Sequence, residues 1–351
     1  MKTKKHIVKN ALIMSFALYR GNYMTKFYIF RDCELKRKDN NISIIAEDIK
    51  KDLKSEIVEE IFLFGEVSLN TKLLNFASQK NIVIHVFNYY GFYSGSFYPR
   101  ETNVSGKLLV NQVKTYLDYD QRLFIAKEFI SAGTFNIYRN LRYYNSRGTD
   151  LESEMNQIDL LIKKIDNMSS IESLMGIEGN IRRIYYGTWN KIIKQEVDFE
   201  KRVKRPPDNM INSLISFLNS LIYTTTLSEI YKTQLDPTVS FLHEPGEKRF
   251  SLSLDISEIF KPIIVDRMIF TMLNKGEITE KDFDKESNYI YLKESPRKRI
   301  VEKYDNRLQD TIKHRDLGRS VSYQYLMRLE AYKLIKHIIG EKEYKAFRMW
   351  W

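Results

Sequence analysis

The hydrophobic period of this chain changes once, near Pro99, and that change limits its fold more than any other feature. Before it, apolar residues come in short runs: KFYIF at 26–30, NISIIA at 41–46, EEIFLFG at 59–65, NIVIHVFNYYG at 81–91 and FYSGSFYP at 92–99. The runs are rich in β-branched and aromatic residues and are bounded by turn formers, the signature of strands. One amphipathic helix is expected among them, over residues 68–79, burying Leu69, Leu73, Leu74, Phe76 and Ala77. After Pro99, Leu, Ile and Tyr recur at spacings of three and four through Arg348, which is the helical period. Breaks fall at Ser146-Arg-Gly148, Arg205-Pro-Pro207, Asp236-Pro237 and Pro245-Gly246. The expected fold is α+β: a β-rich domain with one helix over residues 24–100, then a larger all-α domain over 101–351.

Residues 1–23 stand apart from that pattern. Lys2, Lys4 and Lys5 precede an apolar run from Ala11 to Tyr19 that is brief for a signal peptide and lacks a clear A-x-A site. MTKFYIF from Met24 reads as an opening strand, so the first 23 residues are expected to be an extension, disordered or upstream of the true start. No segment reaches the roughly 18 consecutive apolar residues of a membrane span. The single Cys33 excludes an internal disulfide and a multi-cysteine zinc site, and fits a reducing cytoplasm.

Charge narrows the partners. The chain carries 56 Lys+Arg against 45 Asp+Glu, a net charge of +11, and such an excess captures polyanions. Nucleic acid is favoured over acidic small molecules, with basic membrane-surface proteins as the competing class. The chemistry concentrates in FLHEPGEKRFSLSLDISEIFKPIIVD, residues 241–266. His243 precedes a Pro245-Gly246 turn, and a helix follows in which Asp255 and Glu258, three apart, share a face. Leu252, Ile256, Ile259, Phe260 and Ile263 form its apolar stripe. One imidazole with two carboxylates suits a hard divalent ion such as Mg²⁺ or Mn²⁺. A further acidic position lies in MGIEGNIRRIYY, where Glu178 sits between Gly176 and Gly179 and Arg182 and Arg183 follow one turn later. Each feature also has a plainer explanation. Glu178 and Arg182 form an ordinary ion pair at i,i+4. His243 serves as a hydrogen-bonded structural histidine, Asp255 pairs with Lys248 or Arg249, and Glu258 lies on a solvated face.

Taken together, FYIFRDCELKRKDN (27–40), FGEVSLNTKLLNFASQKNIVIHVFNYYGFYSGSFYPRE (64–101), MGIEGNIRRIYY (175–186) and FLHEPGEKRFSLSLDISEIFKPIIVDR (241–267) closely resemble the CRISPR-associated integrase and endonuclease, Cas protein one, of the adaptation machinery. The resemblance runs from about Lys26 to Trp350. It implies a catalytic metal, Mg²⁺ or Mn²⁺, on Glu178, His243 and Glu258, with Asp255 as an additional acidic site residue. Some members carry aspartate where this chain has Glu258. It also implies homodimers built through the N-terminal domain, a complex with the small partner Cas protein two, and double-stranded DNA as substrate. The implied reaction joins 3′-hydroxyl ends of short DNA fragments, the new spacers, to the CRISPR array by transesterification. Arg182, Arg183, Lys248 and Arg249 are the candidate DNA contacts, with Lys201, Arg202 and Arg297 on further basic stretches. Two other classes remain open: a stand-alone metal-dependent nuclease acting in repair or on branched DNA, and a non-catalytic DNA-binding scaffold.

Overall fold

The computed structural model describes residues 13–15, 25–47, 49–100, 103–197, 199–203, 206–246, 250–286 and 289–350. They form two compact units: one comprises the chain up to residue 100 with Leu292–Asn306, and the other Asn103–Tyr291 with the chain from Arg307 onward.

In chain order the first unit contains β1 (Ile13–Ser15), β2 (Thr25–Ile29), β3 (Cys33–Lys38), β4 (Asn41–Ala46), β5 (Ile49–Lys54), β6 (Val58–Leu63), β7 (Val67–Leu69), α1 (Thr71–Gln79), β8 (Val83–Phe87) and β9 (Tyr93–Phe97). One sheet has the order β1-β2-β6-β8-β9, parallel through β2, β6 and β8 and antiparallel at both edges. The other has the order β5-β4-β3-β7, a meander with β7 added in parallel. Phe27, Ile29, Leu35, Ile42, Ile44, Ile61, Leu73 and Phe76 form the buried core of this unit. β3 and β5 escape the hydrophobic pattern because CELKRK and IKKDLK each bury a single leucine, Leu35 and Leu53, and turn their charges to solvent. Asp39 takes a positive φ of 53° in the turn between β3 and β4, a conformation that Asp tolerates better than most residues. The helix expected over 68–79 begins at Thr71 instead. Residues Val67–Leu69 are drawn into a parallel ladder with β3, and the Asn70 side chain caps the helix by accepting from the Leu73 N–H.

The second unit is built mainly from helices: α2 (Gly106–Leu117), α3 (Tyr119–Asn145), α4 (Glu152–Ile162), α5 (Ile171–Gly187), the short α6 (Trp189–Ile192), α7 (Met210–Tyr231), α8 (Ser251–Lys261) and α9 (Arg267–Asn274). A π turn, Pro262–Asp266, joins α8 to α9. Two short β ribbons, β10 (Phe283–Glu286) with β11 (Tyr289–Leu292) and β12 (Thr311–Lys313) with β13 (Ser320–Ser322), stand in the sequence before and after α10 (Glu294–Gln309), most of which belongs to the first unit, and α11 (Tyr323–Ile338) follows in the second. The ribbons are additions to the all-α expectation. Strands of three or four residues with mixed polarity leave no alternation to read.

α7 is buried on nearly every face, yet it is rich in Ser and Thr. Ser220, Thr224 and Thr226 satisfy their hydroxyls on the carbonyl four residues back, which lets a polar residue enter the core without an orphaned donor. Among the described residues no helix is long and apolar enough to cross a membrane. α8 packs against α3, α7 and α11. At Gly133 the backbone of α3 comes so close to α8 that a Cβ would sit 3.3 Å from the Glu258 carbonyl oxygen. Gly133→Val should therefore force the two helices apart and cost about 1–3 kcal/mol in urea unfolding. Wild-type stability for that variant would show that α8 yields easily there.

Candidate active site

Three segments of the helical unit deliver the four candidate residues. Glu178 comes from α5, Asp255 and Glu258 from α8, and His243 from the segment between α7 and α8. Glu178 and Glu258 meet at a single cation: Arg182 donates its Nε to Glu178 and its second guanidinium arm to Glu258. The i,i+4 pair of Glu178 and Arg182 thus exists, and it is one half of a bridge between two helices. Lys261 adds a second positive charge, its Nζ lying 2.5 Å from the other Glu258 oxygen. Burial by itself would raise the Glu258 pKa, but Arg182 and Lys261 outweigh it and hold the carboxyl down at about 2.

His243 is fixed by Asp255. The fully buried Asp255 carboxylate accepts from the backbone N–H groups of Phe241 (2.8 Å), Leu242 (2.9 Å) and His243 (3.0 Å), and from His243 Nδ1 (2.7 Å). With Nδ1 committed to that carboxylate, the neutral ring offers its lone pair at Nε2. Burial opposes the imidazolium, but the Asp255 hydrogen bond and the charges of Asp255 and Glu258 outweigh it and raise the His243 pKa. Protons therefore compete with any ion at Nε2, more so as the pH falls.

Further residues hold this arrangement. Arg122, on α3, donates Nε to the Phe241 carbonyl at 3.0 Å and pairs with Glu244 at 2.5 Å, while its guanidinium lies 4.4 Å from the centre of the Tyr116 ring. The segment carrying His243 is thus clamped from α3 on one side and by Asp255 on the other. Below the site, the buried Asp266 accepts from the Tyr185 hydroxyl at 3.1 Å, and Asn140 donates to the same hydroxyl at 3.2 Å. Asp266 lies within electrostatic reach of Arg182, Lys261 and Glu258. In a regular helix the residue seven positions after Glu258, Val265, would return to its face. The π turn inserts about one extra residue and brings Asp266 there instead. The sequence signal was present in Pro262, which cannot donate to the helical ladder and so invites such an irregularity.

The donor types suit a divalent ion, although the ligand atoms of Glu178, His243 and Glu258 do not all lie within 4.8 Å of one another in this structure. Two ionisable carboxylates from different helices converge on one cationic point, and an oriented imidazole stands within electrostatic reach of Glu258. Asp255 is engaged behind the histidine, the position of an orienting partner. Beside Glu178, a Cβ on Gly176 or Gly179 would meet nothing within 4 Å, so that face of α5 is open to an approaching backbone. Arg183 is exposed on the same helix, whereas Arg202 is spent internally on Asn212 and Ser216, and Arg297 on the Tyr89 carbonyl. Lys248 and Arg249 lie outside the described residues, as do residues 1–12 and 16–24 of the expected extension; Ile13–Ser15 pair with β2. Tyr185 and Trp189 are fully buried core aromatics.

Comparison with known proteins gives one family. The family model described as CRISPR associated protein Cas1 matches residues 27–306. A CRISPR-associated endonuclease Cas1 from Fusobacterium nucleatum is 59% identical over 337 residues, covering 96% of this chain and 100% of that protein. A solved Cas1 protein from Thermotoga maritima has a TM-score of 0.82 at 40% identity, covering 92% of this chain and 100% of its own. A casposase bound to integration product shares the fold, with a TM-score of 0.80 at 21% identity over 90% of this chain and 91% of that one.

Proposed function

This chain belongs to the Cas1 family of CRISPR-associated proteins, and from that premise we propose that it is a metal-dependent DNA integrase and endonuclease of CRISPR adaptation. One observation carries the reading: Glu178 and Glu258 converge from two helices on one cationic point, beside a histidine oriented by a buried carboxylate. Glu178, Glu258 and Nε2 of His243 would hold Mg²⁺ or Mn²⁺. The ion would supply Lewis acidity toward a phosphoryl oxygen.

The chain's own residues supply the remainder. Asp255 and Arg122 fix the histidine, and Lys261 places positive charge beside Glu258, where a scissile phosphate would carry negative charge. The attacking group is the 3′-hydroxyl of a DNA fragment. A new bond forms from that oxygen to phosphorus as the phosphorus bond to the array strand's 3′-oxygen breaks. The number of phosphodiesters is conserved, so no side-chain nucleophile is required. Attack by water on the same phosphorus gives hydrolysis, the endonuclease outcome. Duplex DNA is drawn by the net charge of +11 and by exposed cations such as Arg183. Two copies pair through the N-terminal unit, where Tyr89 is 64% and Val86 42% exposed. The dimer works with the small partner, Cas protein two.

The test is strand transfer of a short duplex into a CRISPR array, with and without the partner, in Mn²⁺ or EDTA. Joined strands that disappear with EDTA are expected. Strands that are only shortened would favour the stand-alone nuclease, and inertness in every condition would favour the scaffold.

A further inference from the structure

Arg182 stands where the acidic site is most attractive to a cation. Its guanidinium takes one carboxylate oxygen from Glu178 and one from Glu258 at once. With Lys261 on the other Glu258 oxygen, two positive charges already balance the two carboxylates. A divalent ion needs the same oxygens, and it would be repelled by a guanidinium left among them. A helical side chain reaches back over the residues three and four positions earlier, so Arg182 lies over Glu178 and Gly179. Gly179 has open space where its Cβ would be, which leaves the guanidinium room to swing off the carboxylates along α5.

We propose that Arg182 is the built-in counter-cation of the metal-free site, that a divalent ion enters by displacing it, and that the released guanidinium then pairs with an incoming DNA phosphate. The proposal rests on the metal reading of Glu178, His243 and Glu258. It makes metal and DNA mutually reinforcing: each relieves a cost that the other would otherwise bear, and by linkage the coupling is the same in both directions. Without DNA the ion must break two ion pairs with no replacement for Arg182. With DNA present, a phosphate accepts the freed cation. The positioning role of Arg182 is thus distinct from metal ligation, and it favours a loaded metal when a substrate phosphate is there to use it.

The test is direct Mn²⁺ binding to the full chain, followed by the electron paramagnetic resonance of free Mn²⁺, with and without a short duplex that cannot be joined because it carries 3′-deoxy ends. The wild type should bind Mn²⁺ weakly alone and more tightly with the duplex. Arg182→Met should bind Mn²⁺ alone on the order of tenfold or more tighter than wild type, because the competing cation is gone, and should lose most of the enhancement by DNA. Arg182→Lys keeps the charge but offers one nitrogen in place of a fork, and should fall between the two. If Arg182→Met does not fold by circular dichroism, Arg182→Lys decides: tighter binding than wild type without DNA supports the displacement, and equal or weaker binding overturns it. In a folded Arg182→Met protein, equal or weaker Mn²⁺ binding, or an undiminished DNA effect, likewise overturns it. Absence of Mn²⁺ binding in every protein, with and without DNA, would instead bring down the metal reading itself and this proposal with it.

Discussion

Glu178→Gln, Glu258→Gln and His243→Ala should each reduce strand joining by more than about a hundredfold, beyond what losing an outer-shell partner costs at a metal site. Each removes a donor from the set that meets at Arg182 or from the imidazole beside it. Most binding to duplex DNA should survive, because exposed cations such as Arg183 do not depend on these carboxylates. Asp255→Asn should rank lower, with a loss of about 10–100-fold. An amide keeps the shape of Asp255, but its nitrogen cannot accept from the N–H groups and Nδ1 that the carboxylate now gathers. Joining rates and Mn²⁺ affinity measured on the same preparations separate the cases. Asp255→Asn should lower Mn²⁺ affinity through misplacement of His243, even where circular dichroism shows an intact fold. Wild-type joining by all three donor variants would remove Glu178, His243 and Glu258 from the chemistry.

Much of this arrangement could be read from the residues, and what could not has identifiable causes. The switch of period near Pro99 marks where the sheets give way to helices, because alternation and the 3.6-residue repeat are both strong signals over long runs. β3 and β5 were hidden by solvated lysines, since a strand exposed on one side and burying one leucine carries no alternation to detect. The helix start was misplaced by three residues because Ser68 and Leu69 fit an amphipathic pattern equally well, and tertiary pairing with β3 decided between them. The residues proposed for the site stand in motifs that resemble the family's. Their division of labour was not legible there. Asp255 and Glu258 share a helix face at three-residue spacing, yet one turns behind the histidine and the other toward Arg182, a difference fixed by the path of the segment at Phe241–Glu244. Arg122 acts across a sequence separation of 119 residues, which no local pattern encodes. Asp266 depends on a helix irregularity, and a period-based reading assumes there is none.

Asp266→Asn should leave stability unchanged near pH 4 and raise it above pH 7. Burial pushes the Asp266 pKa up from 3.8 to about 7, outweighing Arg182, the Tyr185 hydrogen bond and Lys261, which act in the opposite direction. Below about pH 4 the carboxyl is protonated in both the folded and the unfolded chain, so it contributes no pH dependence. Between about pH 4 and pH 7 the unfolded chain has released the proton while the folded chain keeps it. The folded state then binds more protons, and stability falls as the pH rises. At about 1.4 kcal/mol per pH unit, the loss reaches about 4 kcal/mol by pH 7 and is constant above it. Glu258 acts at the other end of the scale: its lowered pKa contributes stability that is lost only as the pH falls from about 4.5 toward 2. His243, with its raised pKa, loses its contribution as the pH rises above its ordinary 6.5, with the same sign as Asp266 but starting only near the top of the Asp266 window. The difference between wild-type and Asp266→Asn curves removes both terms, since neither residue is altered. Asparagine can still accept the Tyr185 hydroxyl, so the variant tests charge more than packing. Urea unfolding of the metal-free protein at pH 4, 6 and 8 measures the difference directly. A variant equally stable or less stable at pH 8 would mean that Asp266 is ionised and paired with Arg182 in the folded protein, and that its negative charge helps to hold the site together.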